Sequence, residues 1–193
     1  MKMRKMALAI AAVTTAVAIR AGAMTTPFEL SFICPPLSIP WCDNVSGLRL
    51  DLLSGMNQNV SGLDFGTLAN IVDYRFAGLQ VCGFYNHIGT GVGSCQVAGL
   101  MNRCDEDFKG LQASAIYNEV GGTMSGAALA AMNLTKELHG LQLGIFNHVD
   151  TLVGMQIGLV NYAEDSDRGV QVGLVNVMPN GNIPVSVIVN IGF

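Results

Sequence analysis

A short sequence unit recurs from residue 47 to the C-terminus and constrains the fold more than any other feature of this chain. The unit "GLQLGIFN" begins at Gly140, "GMQIGLVN" begins at Gly154 and "GVQVGLVN" begins at Gly169. The other copies begin at Gly62, Gly78, Ser94, Gly110 and Gly126, with degenerate ones at Gly47 and Pro184. These ten units lie about 15 residues apart. A short fixed period predicts a repeat architecture.

Each unit has the periodicity of a β-strand. Leu141, Leu143 and Ile145 alternate with Gln142, Gly144 and Phe146, so neighbouring side chains point to opposite faces. The segments between units, such as "RCDEDFK" and "YAEDSDR", hold most of the charge and are predicted to be turns. The sequence therefore predicts an all-β protein.

Two all-β architectures fit such units. In a β-solenoid each unit forms one coil, and equivalent residues stack in columns along the axis. In an up-and-down outer-membrane β-barrel each unit forms one strand, and the aliphatic face meets lipid. The ending "VIVNIGF" supports the barrel, because it resembles the C-terminal strand of outer-membrane barrels.

Two features favour the solenoid. Neighbouring barrel strands run in opposite directions and would give a paired period, whereas Gly and Asn recur here at a single period. The units that begin at 62 to 110 also have nine residues from Gly to Asn, against eight in those from 126 to 169. One inserted residue reverses the faces of a straight strand, but a coil can absorb it at a corner, where the inner Gly provides the bend.

The repeated amides are predicted to form side-chain ladders along the axis, beside aliphatic columns that fill the inside. Stacking satisfies buried amides that are otherwise costly. The ladder residues are Gln80, Gln96, Gln112, Gln142, Gln156, Gln171, Asn70, Asn86, Asn102, Asn118, Asn133, Asn147, Asn161, Asn176 and Asn190. The penultimate aromatic residues Tyr85, Tyr117 and Phe146 are candidates for an exposed contact strip.

The N-terminus is predicted to be an export signal. Lys2, Arg4 and Lys5 precede an apolar stretch, and Ala21-Gly22-Ala23 offers a cleavage site. We therefore divide the chain into a signal peptide (1–23), a capping segment (24–46) and a β-repeat domain (47–193). In an exported chain cysteines can pair, and Cys34 and Cys42 are candidates for a disulfide.

The sequence contains no recognisable catalytic or metal-binding constellation. His87, His139 and His148 lie at unit boundaries, and His87 and His148 would share a column but stand four coils apart, too far for one metal ion. The acidic turns 105–107 and 164–167 lack a calcium-binding motif. Only 12% of the residues are charged and the balance is acidic, which argues against a nucleic-acid partner. We therefore predict no cofactor, and a protein or envelope partner of unknown identity.

The repeat units, the upstream "SGLRLDLLSGMNQNVSGLDFG" and the ending "NGNIPVSVIVNIGF" resemble a family of exported bacterial surface repeat-containing proteins. The resemblance covers roughly residues 28–193 and implies a location in the envelope of a Gram-negative bacterium. Some similar sequences are labelled polyhydroxyalkanoate synthases. That chemistry needs a Gly-x-Cys-x-Gly elbow, and Gly93-Ser94-Cys95-Gln96-Val97 lacks the final Gly.

The sequence thus predicts a non-enzymatic, exported structural or interaction protein of the cell envelope, found in the outer membrane, at the surface or in the periplasm. The alternative is a small outer-membrane β-barrel that acts as a passive pore or anchor.

Overall fold

The computed structural model describes residues 24–33, 37–39 and 42–192, and these are almost entirely β-strand. The strands are β1 (Thr25–Ile33), β2 (Leu37–Ile39), β3 (Asn44–Gly66), β4 (Ala69–Cys82), β5 (Tyr85–Ile88), β6 (Gly91–Ala98), β7 (Met101–Cys104), β8 (Phe108–Ser114), β9 (Tyr117–Leu129), β10 (Met132–Leu143), β11 (Phe146–Ile157), β12 (Val160–Val177) and β13 (Val185–Gly192). The predicted signal peptide and Cys34 lie outside the described residues.

The strands stack as a β-solenoid of about nine turns. From β3 to β12 each paired strand lies parallel to the equivalent strand of the next turn, with repeat positions in register. Gly140 pairs with Gly126 on one side and with Gly154 on the other. The predicted solenoid is confirmed, and the alternative barrel is wrong, because neighbouring strands of an up-and-down barrel are antiparallel.

The corner explanation for the change in unit length is confirmed. Ala113 pairs with Leu129, and the next paired residues are Tyr117 and Met132. The earlier turn therefore places three residues in this bend and the later turn places two. Because the extra residue falls between the paired segments, the faces on either side keep their orientation.

Glycine is required where the turns approach most closely. Gly126, Gly140 and Gly154 have φ values of 142°, 148° and 139°, a region that residues with a Cβ rarely adopt. A Cβ on Gly140 would also lie 2.0 Å from the carbonyl oxygen of Gly126. The column of repeat glycines is therefore set by backbone packing between turns.

The two ends of the stack differ from its middle. At the N-terminal end β1 pairs in parallel with β3 and antiparallel with β2. At the C-terminal end β13 pairs antiparallel with β12. The unit predicted at Pro184 is thus not a tenth coil, since its chain direction is reversed.

The apolar core occupies one side of the interior. Its first column contains Val72, Ile88, Cys104, Val120, Val149 and Ala163. Its second column contains Phe76, Phe108, Met124, Leu138 and Leu152. The described residues include no helix able to cross a membrane.

Candidate interaction surface

The strand segments that carry the repeat Gln have an inverted polarity, with amides inside and aliphatic side chains outside. Gln142 is fully buried, while Leu141 and Leu143 on either side of it face outward. The expectation that these aliphatic columns fill the inside is therefore wrong. The apolar core comes instead from the segments after the repeat Asn, which lie on the other side of the interior.

The Gln side chains form a ladder along the inner column. Gln96 donates to Gln80 at 2.8 Å, and Gln112 donates to Gln96 at 2.7 Å. A second run links Gln171 to Gln156 and Gln156 to Gln142, both at 2.8 Å. In both runs the amide nitrogen donates toward the N-terminal end.

Ala128 interrupts the Gln ladder between these two runs. It pairs in register with Gln112 and Gln142. Because Ala128 has no amide, Gln112 Oε1 has no hydrogen-bond partner, and Gln142 Nε2 donates to Thr135 Oγ1 at 3.0 Å. The ladder is therefore two separate segments.

A second ladder joins seven Asn side chains in the opposite direction. Its members are Asn86, Asn102, Asn118, Asn133, Asn147, Asn161 and Asn176, each bonded to the next at 2.9–3.1 Å. Most also donate to a backbone carbonyl, as Asn147 does to Ile157 at 3.0 Å. That second bond requires the amide nitrogen to point toward the carbonyl, and it fixes the direction of the ladder.

Two predicted members lie outside this Asn ladder. Asn70 is in register with Asn86 and donates to the carbonyl of Val81 as the ladder members do, but Asn86 Oδ1 has no hydrogen-bond partner, so the ladder begins at Asn86. Asn190 pairs with Gln171 in the other column and donates to the carbonyl of Ile183. The prediction that Asn190 continues the Asn ladder is wrong, because the reversed direction of β13 brings it opposite a different residue.

A buried ionic cluster occupies the N-terminal end of the Gln column. Glu29, Arg49 and Asp64 take the positions that Gln takes in later turns, and all three are fully buried. Arg49 donates to both carboxylate oxygens of Asp64, at 2.7 and 2.6 Å. Gln80 Nε2 donates to Asp64 at 2.8 Å, so the Gln ladder begins on this carboxylate.

Asp51 is a further carboxylate of this cluster. Its Oδ2 lies 3.0 Å from Arg49 Nε, and its Oδ1 accepts a hydrogen bond from Ser31. Gly55 leaves the space for this carboxylate, since a Cβ there would overlap it. Burial raises the pKa of Asp51 from 3.8 to about 6, although Arg49 opposes the rise. A raised folded-state pKa stabilises the fold below pH 4, and this contribution is lost as the pH rises through about 6.

The sequence prediction missed this cluster. A signal was nevertheless present, because Arg49 and Asp64 stand at the third position of "GLRLDLL" and "GLDFGTL", where other units have Gln. Two adjacent turns with opposite charges at an inward position indicate an ion pair along the stack.

The outward counterpart of the inner column is a continuous apolar surface, which we call the aliphatic face. Its first column contains Phe28, Leu48, Leu63, Leu79, Cys95, Leu111, Ala127, Leu141, Met155, Val170 and Ile191. Its second contains Leu30, Leu50, Phe65, Val81, Val97, Ala113, Leu129, Leu143, Ile157, Val172 and Val189. Its third, at the adjoining corner, contains Leu68, Phe84, Leu100, Ile116, Ala131, Ile145, Leu159 and Leu174.

The aliphatic face is large and holds no charged or amide side chain. Sixteen of its side chains are 37–62% exposed, which amounts to on the order of 1,200 Å² of apolar surface. The largest apolar patch on a typical monomer is about 300–600 Å². Its eleven rows, about 4.8 Å apart, extend over roughly 50 Å.

Small side chains interrupt the aliphatic face near its middle. Ala113 and Ala131 stand where other turns have larger residues, and together with Ala115 they line a hollow of about 600 Å³. Leu143 and Ile145 border the hollow on its C-terminal side. The hollow is open to the outside, and its lining side chains are apolar except for Ser114.

Polar groups border the corner of the aliphatic face. The predicted strip of Tyr85, Tyr117 and Phe146 lies half-buried directly beside the corner column. The next outward column includes His87, whose Nε2 lies 3.0 Å from Asp105, and His148, which stacks on Tyr162. The surface therefore changes from aliphatic to aromatic and then to charged.

The remaining reactive side chains are held in structural contacts. His139 Nε2 lies 2.7 Å from Glu137, and Asp107 accepts the backbone N–H of Thr123 at 2.7 Å. Burial raises the pKa of the Cys104 thiol to about 12. Among the described residues no group of three or more His, Cys, Asp or Glu could hold a metal ion. Cys42 donates to Glu29 at 2.8 Å, and the predicted disulfide with Cys34 stays a prediction.

Parallel in-register turns, internal amide ladders and short corners define this protein as a parallel β-solenoid with one apolar outer face. No protein-family model, curated protein or solved structure matches the chain.

Proposed function

We propose that this protein is a non-enzymatic interaction protein of the bacterial cell envelope, exported by the signal in residues 1–23, and that the aliphatic face is its binding surface. The observation that carries the proposal is the inverted polarity of this face. Eleven buried positions of the inner column include one apolar residue, Ala128, whereas the flanking outward columns contain only apolar residues and Cys95.

The energetics of this arrangement support a binding role. Exposing aliphatic side chains forgoes about 25 cal/mol for each Å² left in water. Keeping amides inside instead requires each of them to find a hydrogen-bond partner. A chain selected for stability alone would place these two sets of side chains the other way round. Burial of the outer columns against a partner removes the disadvantage.

The shape of the molecule is suited to the same role. Continuous parallel pairing and two internal ladders hold the rows at a fixed spacing, so the face presents a preorganised surface. Little conformational entropy remains to be lost when a partner binds.

Fractionation of a Gram-negative host that expresses the full chain tests the proposal. We expect a protein that begins near Met24 in the envelope fraction, identified by mass spectrometry. An uncleaved chain in the cytoplasm would refute export. Chemical crosslinking of whole cells tests the surface. The complexes of the wild type should disappear in Ile145→Glu/Leu159→Glu and persist in Tyr74→Glu, an equally exposed position on another side of the solenoid.

A further inference from the structure

We infer that the occupant of the aliphatic face is a second copy of this chain, bound face to face and antiparallel about a two-fold axis. This inference rests on the proposed function and names its partner. Three observations carry it, namely the area of the face, the distribution of charge around it, and the positions of its largest side chains and its hollow.

The area of the face matches what a stable dimer needs. A standard specific interface buries about 800 Å² on each partner, and the exposed apolar side chains of the face amount to on the order of 1,200 Å². The rows of side chains on the face also repeat at one strand spacing. Two identical faces therefore have matching ridges and grooves, as in the packing of two β-sheets about 10 Å apart.

The distribution of charge favours a second copy over a lipid surface. Beyond residue 23 the sequence has six Lys and Arg against fourteen Asp and Glu, a net charge of −8. Proteins that lie on bilayers use basic residues to attract anionic headgroups. Here the acidic turns would be repelled by such headgroups. In a face-to-face dimer these turns lie on the sides away from the partner.

The positions of the protruding aromatic side chains and of the hollow favour the antiparallel orientation. Its aromatic side chains, Phe28, Phe65 and Phe84, all lie in the N-terminal half, and the hollow at Ala115 and Ala131 begins farther along. Phe84 is 50% exposed and precedes Ala131 by three rows of the corner column, roughly 14 Å.

A two-fold axis midway between the rows of Leu100 and Ile116 brings Phe84 of each copy over Ala131 in the hollow of the other. Such isologous contacts repeat the same pair twice, so one knob and one hollow on the same face are sufficient. Parallel pairing would instead place Phe84 against the same row of its partner and leave both hollows empty.

Sedimentation equilibrium of the full chain, purified as expressed, tests the dimer. The wild type should be dimeric in the micromolar range. Ile145→Glu/Leu159→Glu should raise the dissociation constant by at least about 100-fold, because each buried carboxylate would lack a partner. The control Tyr74→Glu should leave it unchanged. Circular dichroism establishes that each variant is folded.

The pairing of Phe84 with the hollow has its own test. Phe84→Ala and Ala131→Phe should each weaken the dimer by about tenfold. The double variant should regain most of this affinity, because the aromatic ring and the small side chain have then exchanged places across the same contact. Additive losses in the double variant would overturn the antiparallel pairing.

A wild type that stays monomeric up to roughly 100 µM would overturn the inference. Flotation with phosphatidylethanolamine–phosphatidylglycerol vesicles then identifies a lipid occupant, if the face variant no longer floats. A monomer whose face variants still lose their crosslinked complexes in cells would leave the proposed function standing. A monomer whose face variants keep those complexes would refute both.

Discussion

Replacement of Gln156 by Leu tests whether the amide ladder stabilises the solenoid. Gln156 is fully buried; it donates to Gln142 and accepts from Gln171, both at 2.8 Å. Leucine has a similar size and removes both bonds, together with a longer one of 3.3 Å from Gln156 Nε2 to the carbonyl of Tyr162. Gln142 Oε1 would then lose its donor, while Gln171 Nε2 would keep only its bond to the carbonyl of Val177 at 3.2 Å.

The expected loss of stability follows from the two partners, Gln142 and Gln171, that lose a bond to residue 156. A buried polar group that loses its partner costs about 1–3 kcal/mol, and the apolar side chain of Leu offsets part of that loss. We expect Gln156→Leu to lower the free energy of unfolding by about 2–4 kcal/mol. For a domain of this size the decrease corresponds to a fall in Tm of about 5–15 °C.

Thermal unfolding followed by circular dichroism at pH 7 measures the effect. The matched control is Met155→Leu, the outward neighbour on the same strand, which should change the stability by less than about 0.5 kcal/mol. A Gln156→Leu variant that melts at the temperature of the control would refute the reasoning, because the buried amide bonds would then contribute nothing net.

Three further predictions concern single positions. Between pH 4 and pH 7.5 the free energy of unfolding of Asp51→Asn should rise by about 3 kcal/mol relative to that of the wild type, because burial raises the pKa of Asp51 to about 6. Urea unfolding at both pH values measures this, and the same difference between variant and wild type at both would contradict it. Gly140→Ala should lower the free energy of unfolding by more than about 3 kcal/mol, since its Cβ would lie 2.0 Å from the carbonyl oxygen of Gly126. A variant that melts near the wild-type temperature would show that this clash does not occur. Val92 has a φ of 135° and an outward side chain, so Val92→Gly should raise the stability by about 1 kcal/mol; a fall in Tm would show that this backbone is not strained.

The single period of Gly and Asn was sufficient to predict the solenoid, because only parallel stacking places identical positions side by side in every turn. The change from nine to eight residues also located a corner correctly. Both signals depend only on the register between neighbouring turns.

The sequence could not reveal which side of the repeat strand is inside. Alternation defines two faces but does not orient them, and the usual rule places aliphatic residues inside. In this chain the rule fails at Gln142 and its equivalents, since the ladders satisfy the amides and the later segments supply the core. The reversal of β13 was hidden for a similar reason, because "PVSVIVN" alternates in the same way whichever direction it runs.

The opposite directions of the two ladders have an electrical consequence for the stack. Each Asn nitrogen points toward the C-terminal end and each Gln nitrogen points toward the N-terminal end. The amide dipoles of the two columns therefore largely cancel, whereas the aligned peptides of an α-helix add to a macrodipole. A turn inserted into or deleted from the middle of this protein would alter its length without building up charge at either end.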